Sequence, residues 1–293
     1  MDLSTFAADV GIDGPVRIAG HGSRVPGCDL TRTVRAPSGI DWFEPAEMTV
    51  CCGAGTPVSE LASALADHDQ TVAITPVGTV GGALAVGYSG LRRLGRGALR
   101  DTLLQARYVS ATSMVIKAGG PTVKNVSGFD LCRLLVGSFG TLGFLGEVIM
   151  RTRPRPEVSK WYAGPAEPIR IQTTVYRPAS ILWDGITVWV CLEGDQRDVD
   201  AQAAALGFEL VDGPPPLPEY RWSLPPTELG ALTGRFVAEI GVGTVHRETP
   251  PPRPAVAPAV VEIHRRLKAE FDPTGRLNPG LDPLCPPAVR ESV

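Results

Sequence analysis

Residues 119–148 read GGPTVKNVSGFDLCRLLVGSFGTLGFLGEV. Seven of these thirty positions are glycine, and Lys124, Asn125, Asp130 and Arg133 stand among them. Glycine is demanded where φ is positive or where another group must approach the main chain. Successive N–H groups with no Cβ in the way form a concave nest for anions. A pyrophosphate, doubly charged and rich in acceptor oxygens, suits such a nest. The alternative is that the glycines serve only turns and close sheet packing. The run Gly137, Gly140, Gly143 has G-x-x-G-x-x-G spacing. The dinucleotide fingerprint G-x-G-x-x-G at a first βα turn is absent, as is a Walker A sequence. Any dinucleotide is therefore held by another arrangement of loops.

Working outward, 14 of the 69 residues from Gly78 to Gly146 are glycine, whereas proline takes over in 152–156, 213–218 and 249–258. The Pro-rich stretches read as connections. They divide the chain into 1–156, a middle piece 157–254, and a C-terminal segment 255–293. In the first piece, 16–20 and 48–55 read as strands that run into glycine loops. A helix is expected over 56–69, with Thr56 as N-cap, Pro57 at N1, and Val58, Leu61 and Leu65 on one face. The segment 143–154 reads as a strand ended by prolines. In the middle piece, 171–178, 186–193 and 235–246 read as strands, and 197–207 as a helix closed by Gly207. This pattern predicts an antiparallel sheet backed by helices. Val256, Val260, Ile263, Leu267 and Phe271 form one apolar stripe on a last helix, stopped by FDPTGRLNPG over 271–280.

Composition narrows the function. The 293 residues carry a formal charge of −3, which argues against a nucleic-acid surface. No 18-residue apolar run predicts a transmembrane helix, and the N-terminus lacks the basic and apolar regions of a secretory signal. The expected location is cytoplasmic, with membrane association only through partners. The six cysteines are scattered without a C-x-x-C, so a zinc ribbon or iron–sulfur cluster is not expected, and no metal site is predicted.

The blocks T-V-G-G (79–82), S-G-L-R-R (89–93), V-K-N-V-S-G-F-D-L-C-R-L (123–134), G-S-F-G-T-L-G (137–143) and R-P-R-P (153–156), with D-P-T-G-R-L-N-P-G (272–280), stand in this order. Together they resemble the PCMH-type FAD-binding proteins of the vanillyl-alcohol oxidase superfamily, and among them the glycolate oxidase E subunit. The resemblance implies an α+β fold: a PCMH-type FAD-binding domain with a second, smaller antiparallel-sheet α/β domain. It implies FAD as cofactor. The loop Gly20, His21, Gly22, Ser23 matches the first pyrophosphate loop, and Gly78, Thr79, Gly81 and Gly82 the second. Ser89 and Gly90 match the same wall, and Asp101 a polar position supporting the second loop. Asn125, Gly128 and Asp130 match the stretch beside the flavin; Gly137, Ser138, Gly140 and Thr141 match the turn against it. Glu147 and Val148 match the strand that meets the adenine, and Asn278 the returning C-terminal chain. Many members attach FAD to a His in the first loop. Alignment puts Ser23 in that position, which implies non-covalent FAD; a two-residue slip would bring His21 there instead.

The implied chemistry is oxidation of a small 2-hydroxy acid, glycolate-like, by hydride transfer to flavin N5. Charge near flavin N1 and a substrate carboxylate both need a cation. Arg92, Arg93, Arg100, Lys124, Arg133 and Arg247 are available, and Arg93 and Lys124 sit inside matching motifs. A general base is also required. Of the four histidines, His68 and His264 read as structural or surface residues, and His246, ending a strand, is the candidate. The H-x-H and H-H-G ligand patterns of metal-dependent relatives are absent. That leaves two other readings: an electron-relay flavin subunit beside flavin and iron–sulfur partner subunits, or a flavin-free scaffold.

Overall fold

A computed structural model describes residues 1–22, 32–121, 130–252 and 255–286. The chain opens with α1 (Ser4–Val10) and β1 (Arg17–Ile18), which pairs in parallel with β2 (Thr33–Val34). Next come β3 (Ile40–Glu44), β4 (Thr49–Gly53), α2 (Val58–Ala66), β5 (Gln70–Thr71), α3 (Val80–Val86) and α4 (Arg93–Arg96). They are followed by β6 (Leu103–Val109), β7 (Val115–Gly119), α5 (Leu131–Leu135), β8 (Phe144–Arg151) and β9 (Arg153–Pro154). Five of these strands form an antiparallel sheet in the order β3-β4-β8-β6-β7. β8 is central and buried along all but its last residue. Val148 and Met150 of β8 pack with Val58, Leu61 and Leu65 of α2; Phe144 packs with Phe6, Val10 and Leu277.

Helix α2 begins one residue later than the sequence suggests. Pro57 is its N-cap, and the Thr56 hydroxyl is used elsewhere. It donates to the Gly53 carbonyl at 2.7 Å and accepts the Gly39 N–H at 2.9 Å, joining the ends of β3 and β4.

The second sheet is built from β10 (Val158–Pro165), β11 (Ser180–Trp183), β12 (Thr187–Gly194), β13 (Glu209–Val211), β14 (Tyr220–Ser223), β15 (Phe236–Glu239) and β16 (Thr244–Arg247). Its order is β13-β10-β12-β11-β15-β16-β14, antiparallel throughout. Helices α6 (Pro168–Thr174) and α7 (Gln196–Leu206) back it, with Ile171 and Val199 in its core.

Two local expectations are corrected. Residues 171–174 continue a helix: Glu167 caps it, accepting the N–H groups of Ile169 at 3.2 Å and Arg170 at 2.7 Å, and Pro168 sits at N1. The cap outweighs the β propensity of Ile171, Thr173 and Thr174. Residues 235–246 are a hairpin, with Gly241 at φ 79° and Gly243 at φ 83° turning the chain between β15 and β16. The last helix, α8 (Pro258–Phe271), buries no residue fully; Val260 is 41% and Ile263 56% exposed. Only its far end engages a core, through Phe271.

Past α8 the chain returns to the first strand. Leu277 bridges Val16 in parallel. Arg276, 5% exposed, donates to the carbonyls of Val10, Gly11, Asp13, Gly14 and Ala111 at 2.7–3.2 Å. Burial first, and then neighbouring Arg32, pull its pKa down; five carbonyls compensate the desolvated guanidinium.

Candidate functional site: two adjoining cavities

The first cavity measures about 260 Å³ and draws on four distant segments. These are the end of β1 through Gly22, the start of α3, the turn Ser138–Gly140, and Asn278–Leu281. The tail is fastened there by Asn278. Its side-chain amide donates to the Phe139 carbonyl at 2.7 Å, and its oxygen accepts the Ile18 N–H at 2.9 Å. Close approach explains the glycines. A Cβ on Gly20 would lie 2.8 Å from Thr79 Oγ1, and one on Gly81 2.8 Å from Ala54 Cβ. One on Gly140, at φ 69°, would lie 2.7 Å from Asn278 Nδ2. In the opening stretch the duties differ. Gly146 makes room for Leu3 and so serves sheet packing, Gly143 both makes room for the Tyr108 ring and lines the cavity, and Gly140 lines the cavity.

Donors are also unevenly shared. Thr79 caps α3, accepting the Gly82 N–H at 3.1 Å; the Val80 and Gly81 N–H groups go to the carbonyls of Thr56 and Ala54. The second loop thus supplies shape. The N–H groups of Gly20, His21, Gly22 and Gly140 have no hydrogen-bond partner among the described residues. Among the described residues no carboxylate lines the cavity, and Arg17 and His21 do. Its other walls are apolar: Val86, Leu135, Phe139, Phe144 and Leu281. Orphan donors, glycine walls and absent acids fit a pyrophosphate with an attached aromatic ring.

The second cavity, about 700 Å³, lies in the seam between the sheets and meets the first at Val86. Residues 71–77, 88–93, 96–97 and 155–157 line it, with Ser159, Glu193 and Leu217. Across the seam, Glu193 of β12 accepts from Arg92 Nε at 2.6 Å and from Arg96 Nε at 3.0 Å and Nη2 at 2.8 Å. Arg221 of β14 donates to the Ser89 carbonyl at 2.9 Å and lies over the Tyr88 ring.

Of the residues singled out from the sequence, Gly20, His21, Gly22, Thr79, Gly81, Gly82, Ser138, Gly140, Gly143 and Asn278 line the first cavity; Ser89, Gly90, Arg92 and Arg93 line the second. Ser23, Lys124, Asn125 and Gly128 lie outside the described residues. The rest line neither cavity. Gly78, at φ 71°, offers its carbonyl to the Val58 N–H, and Gly137, at φ 83°, donates to the Leu84 carbonyl. The Thr141 hydroxyl donates to the Ser138 carbonyl at 2.7 Å. Asp101 and Asp130 flank Arg133 at 2.6 and 3.2 Å on the exposed surface. Glu147 pairs with the Met1 ammonium at 2.7 Å and with Arg107 at 3.3 Å; Val148 is core.

His246 is 1% exposed, and its Nε2 lies 3.1 Å from Glu239 Oε1. Arg221 Nη2 lies 3.8 Å from that same oxygen. A proton acceptor must reach its donor within hydrogen-bond distance, so in this arrangement His246 faces Glu239 and not a cavity. Glu193, Arg96 and Arg155 escaped the sequence reading. Arg92 and Arg96 stand four apart, the spacing that puts two cations on one helical face, and this was the available signal.

The family described as FAD binding domain matches residues 8–119. The glycolate oxidase subunit GlcE of Escherichia coli is 31% identical over 225 residues, 68% of this chain and 61% of that protein. Glycolate oxidase subunit GlcD of Bacillus subtilis is 42% identical over 84 residues, and D-lactate dehydrogenase of Archaeoglobus fulgidus 37% over 107. These matches span 18% and 24% of those two relatives, so this chain spans about three fifths or less of the relatives named. The fold of alkyldihydroxyacetonephosphate synthase superimposes with a TM-score of 0.65 at 15% identity, covering 94% of this chain and 72% of that one. A mixed fold, a glycine cavity with orphan main-chain donors, and these kinships agree: the chain carries a PCMH-type FAD-binding domain and belongs with the FAD-linked oxidoreductases related to glycolate oxidase subunits and D-lactate dehydrogenases.

Proposed function

We propose that the chain holds FAD without a covalent bond in the first cavity and takes part in oxidising a small 2-hydroxy acid. The observation that carries the cofactor reading is the set of N–H groups at Gly20, His21, Gly22 and Gly140 without partners, in a cavity without carboxylates, among the described residues. The acid class rests on the named activities of the relatives. When bound, FAD supplies a two-electron acceptor that takes hydride at N5. The chain's own part is to bind the pyrophosphate by main-chain donors, to exclude water with Val86, Phe139 and Leu281, and to face anionic charge with Arg17. Arg93 and Lys124 orient the substrate. His246 acts through Glu239 and Arg221 on the Tyr88–Ser89 wall. Electrons leave to a partner subunit or a quinone, in the cytoplasm or at a membrane reached through partners. No described helix is long and apolar enough to cross a membrane.

The test is the visible spectrum of the purified chain before and after acid precipitation. Flavin bands that pass to the supernatant are expected. Bands that stay in the pellet would make His21 the attachment site, and no flavin after incubation with FAD would leave only the scaffold reading. A second reading, an electron-relay flavin subunit, is favoured by one observation: no histidine lines the seam cavity among the described residues. Turnover of glycolate or lactate by the isolated chain, compared with the chain beside its flavin and iron–sulfur partners, separates the two.

A further inference from the structure

The seam cavity carries more positive charge than its acids can balance. Arg92, Arg93, Arg96 and Arg155 line it against Glu157 and Glu193, four charges minus two, a formal excess of two. Glu193 is already committed. Its Oε1 serves Arg92, Arg96 and the Ser159 hydroxyl, and its Oε2 serves Arg96. Glu157 accepts the Gln196 N–H at 3.2 Å. The guanidinium groups of Arg93 and Arg155 have no ion-pair or hydrogen-bond partner among the described residues. Nearby Arg153 feels the same excess: burial, then Arg96 and Arg151, hold it below the usual arginine range. Ala73, Ile74, Pro76 and Leu217 supply apolar wall, which strengthens any charge interaction inside.

We infer that the seam cavity binds a small carboxylate, with Arg93 and Arg155 as its cationic ligands and Glu193 as the positioning residue that fixes Arg92 and Arg96 around it. A guanidinium fork matches the two oxygens of a carboxylate, and two uncommitted forks in one concave space favour an anion with two such faces. Val86 lines both cavities and so sets that anion beside the proposed cofactor cavity. The inference deepens the reading above and rests on it for the identity of the acid.

The experiment uses the full chain loaded with FAD, titrated calorimetrically with oxalate, a carboxylate that cannot donate hydride. Saturable one-to-one binding is expected. Arg93→Gln and Arg155→Gln should each weaken it about tenfold or more, as the loss of a charge-assisted hydrogen bond implies, with flavin content unchanged. Inorganic phosphate at equal ionic strength should bind at least about tenfold more weakly. Glu193→Gln removes one negative charge. Plain attraction would then tighten oxalate, whereas loss of a positioned fork weakens it, and weakening is expected with flavin content as the check on folding. No saturable oxalate binding by the FAD-loaded chain, unchanged affinity in both arginine variants, or phosphate binding as tight as oxalate would each overturn the inference. A chain that takes no FAD but binds oxalate through Arg93 and Arg155 would sink the functional reading and leave this one standing. Hydroxy-acid turnover with a KM indifferent to both arginines would do the reverse.

Discussion

Thr79 does three things within one turn of chain. Its hydroxyl caps α3 through the Gly82 N–H, its side chain abuts Gly20, and it lines the first cavity. Two loops far apart in sequence are thereby pressed together with no Cβ between them. Even a methyl group on Gly82 would sit 3.0 Å from Thr79 Oγ1. Gly82→Trp should therefore abolish FAD retention while circular dichroism stays near wild type. Flavin absorbance per chain is the measurement, and a fully flavinated variant would refute the loop assignment.

At the scale of elements, what the sequence discloses depends on whether a signal is local. The stripe Val58, Leu61, Leu65 becomes the buried face of α2, because a sheet lies beneath it. The equally regular stripe of α8 does not, because only its end at Phe271 meets a core. Periodicity reports that one face is apolar; it does not report what covers that face. Ile263→Lys should accordingly change unfolding free energy by less than about 0.5 kcal/mol. Leu61→Ala, which empties a fully buried position, should cost roughly 2–5 kcal/mol. Urea denaturation measures both, and a large loss from Ile263→Lys would contradict the exposure of α8. The helix at 168–174 departs from the strand reading of 171–178 for the opposite reason. Its start is set by Glu167 and Pro168, just ahead of that segment. The strand reading of 235–246 runs through Gly241 and Gly243, yet both take positive φ and make a turn.

At the scale of the molecule, the lining of the first cavity is largely readable and that of the seam cavity is not. Thr79, Gly81, Gly140 and Asn278 belong to blocks whose order in the chain already marks them, and Gly20 to the loop that the resemblance adds. The seam depends on Arg92 meeting Glu193, 101 residues away, on a second sheet whose topology no local pattern gives. Burial of the first core has a pH signature. It pushes the Cys51 and Cys52 thiols up to about 12 and Cys132 to about 11, from an ordinary 9. Between pH 9 and 11 the unfolded chain releases these protons while the folded chain keeps them. Stability is thus whole below pH 9 and declines above it, by at most about 1.4 kcal/mol per pH unit for each thiol. Urea midpoints at pH 8 and 10.5 should show the fall, and Cys52→Ala should flatten it; an unchanged slope would place these thiols in contact with water.

The knot of Arg276 and Asn278 has a consequence for synthesis. One wall of the cofactor cavity is Asn278–Leu281, and the loop that begins it, near Gly14, is anchored by Arg276. A nascent chain still on the ribosome carries the glycine loops long before it carries their closing wall. On the proposed function, FAD capture therefore waits until residues 276–281 have emerged, and translation products truncated before residue 276 would emerge as apoprotein.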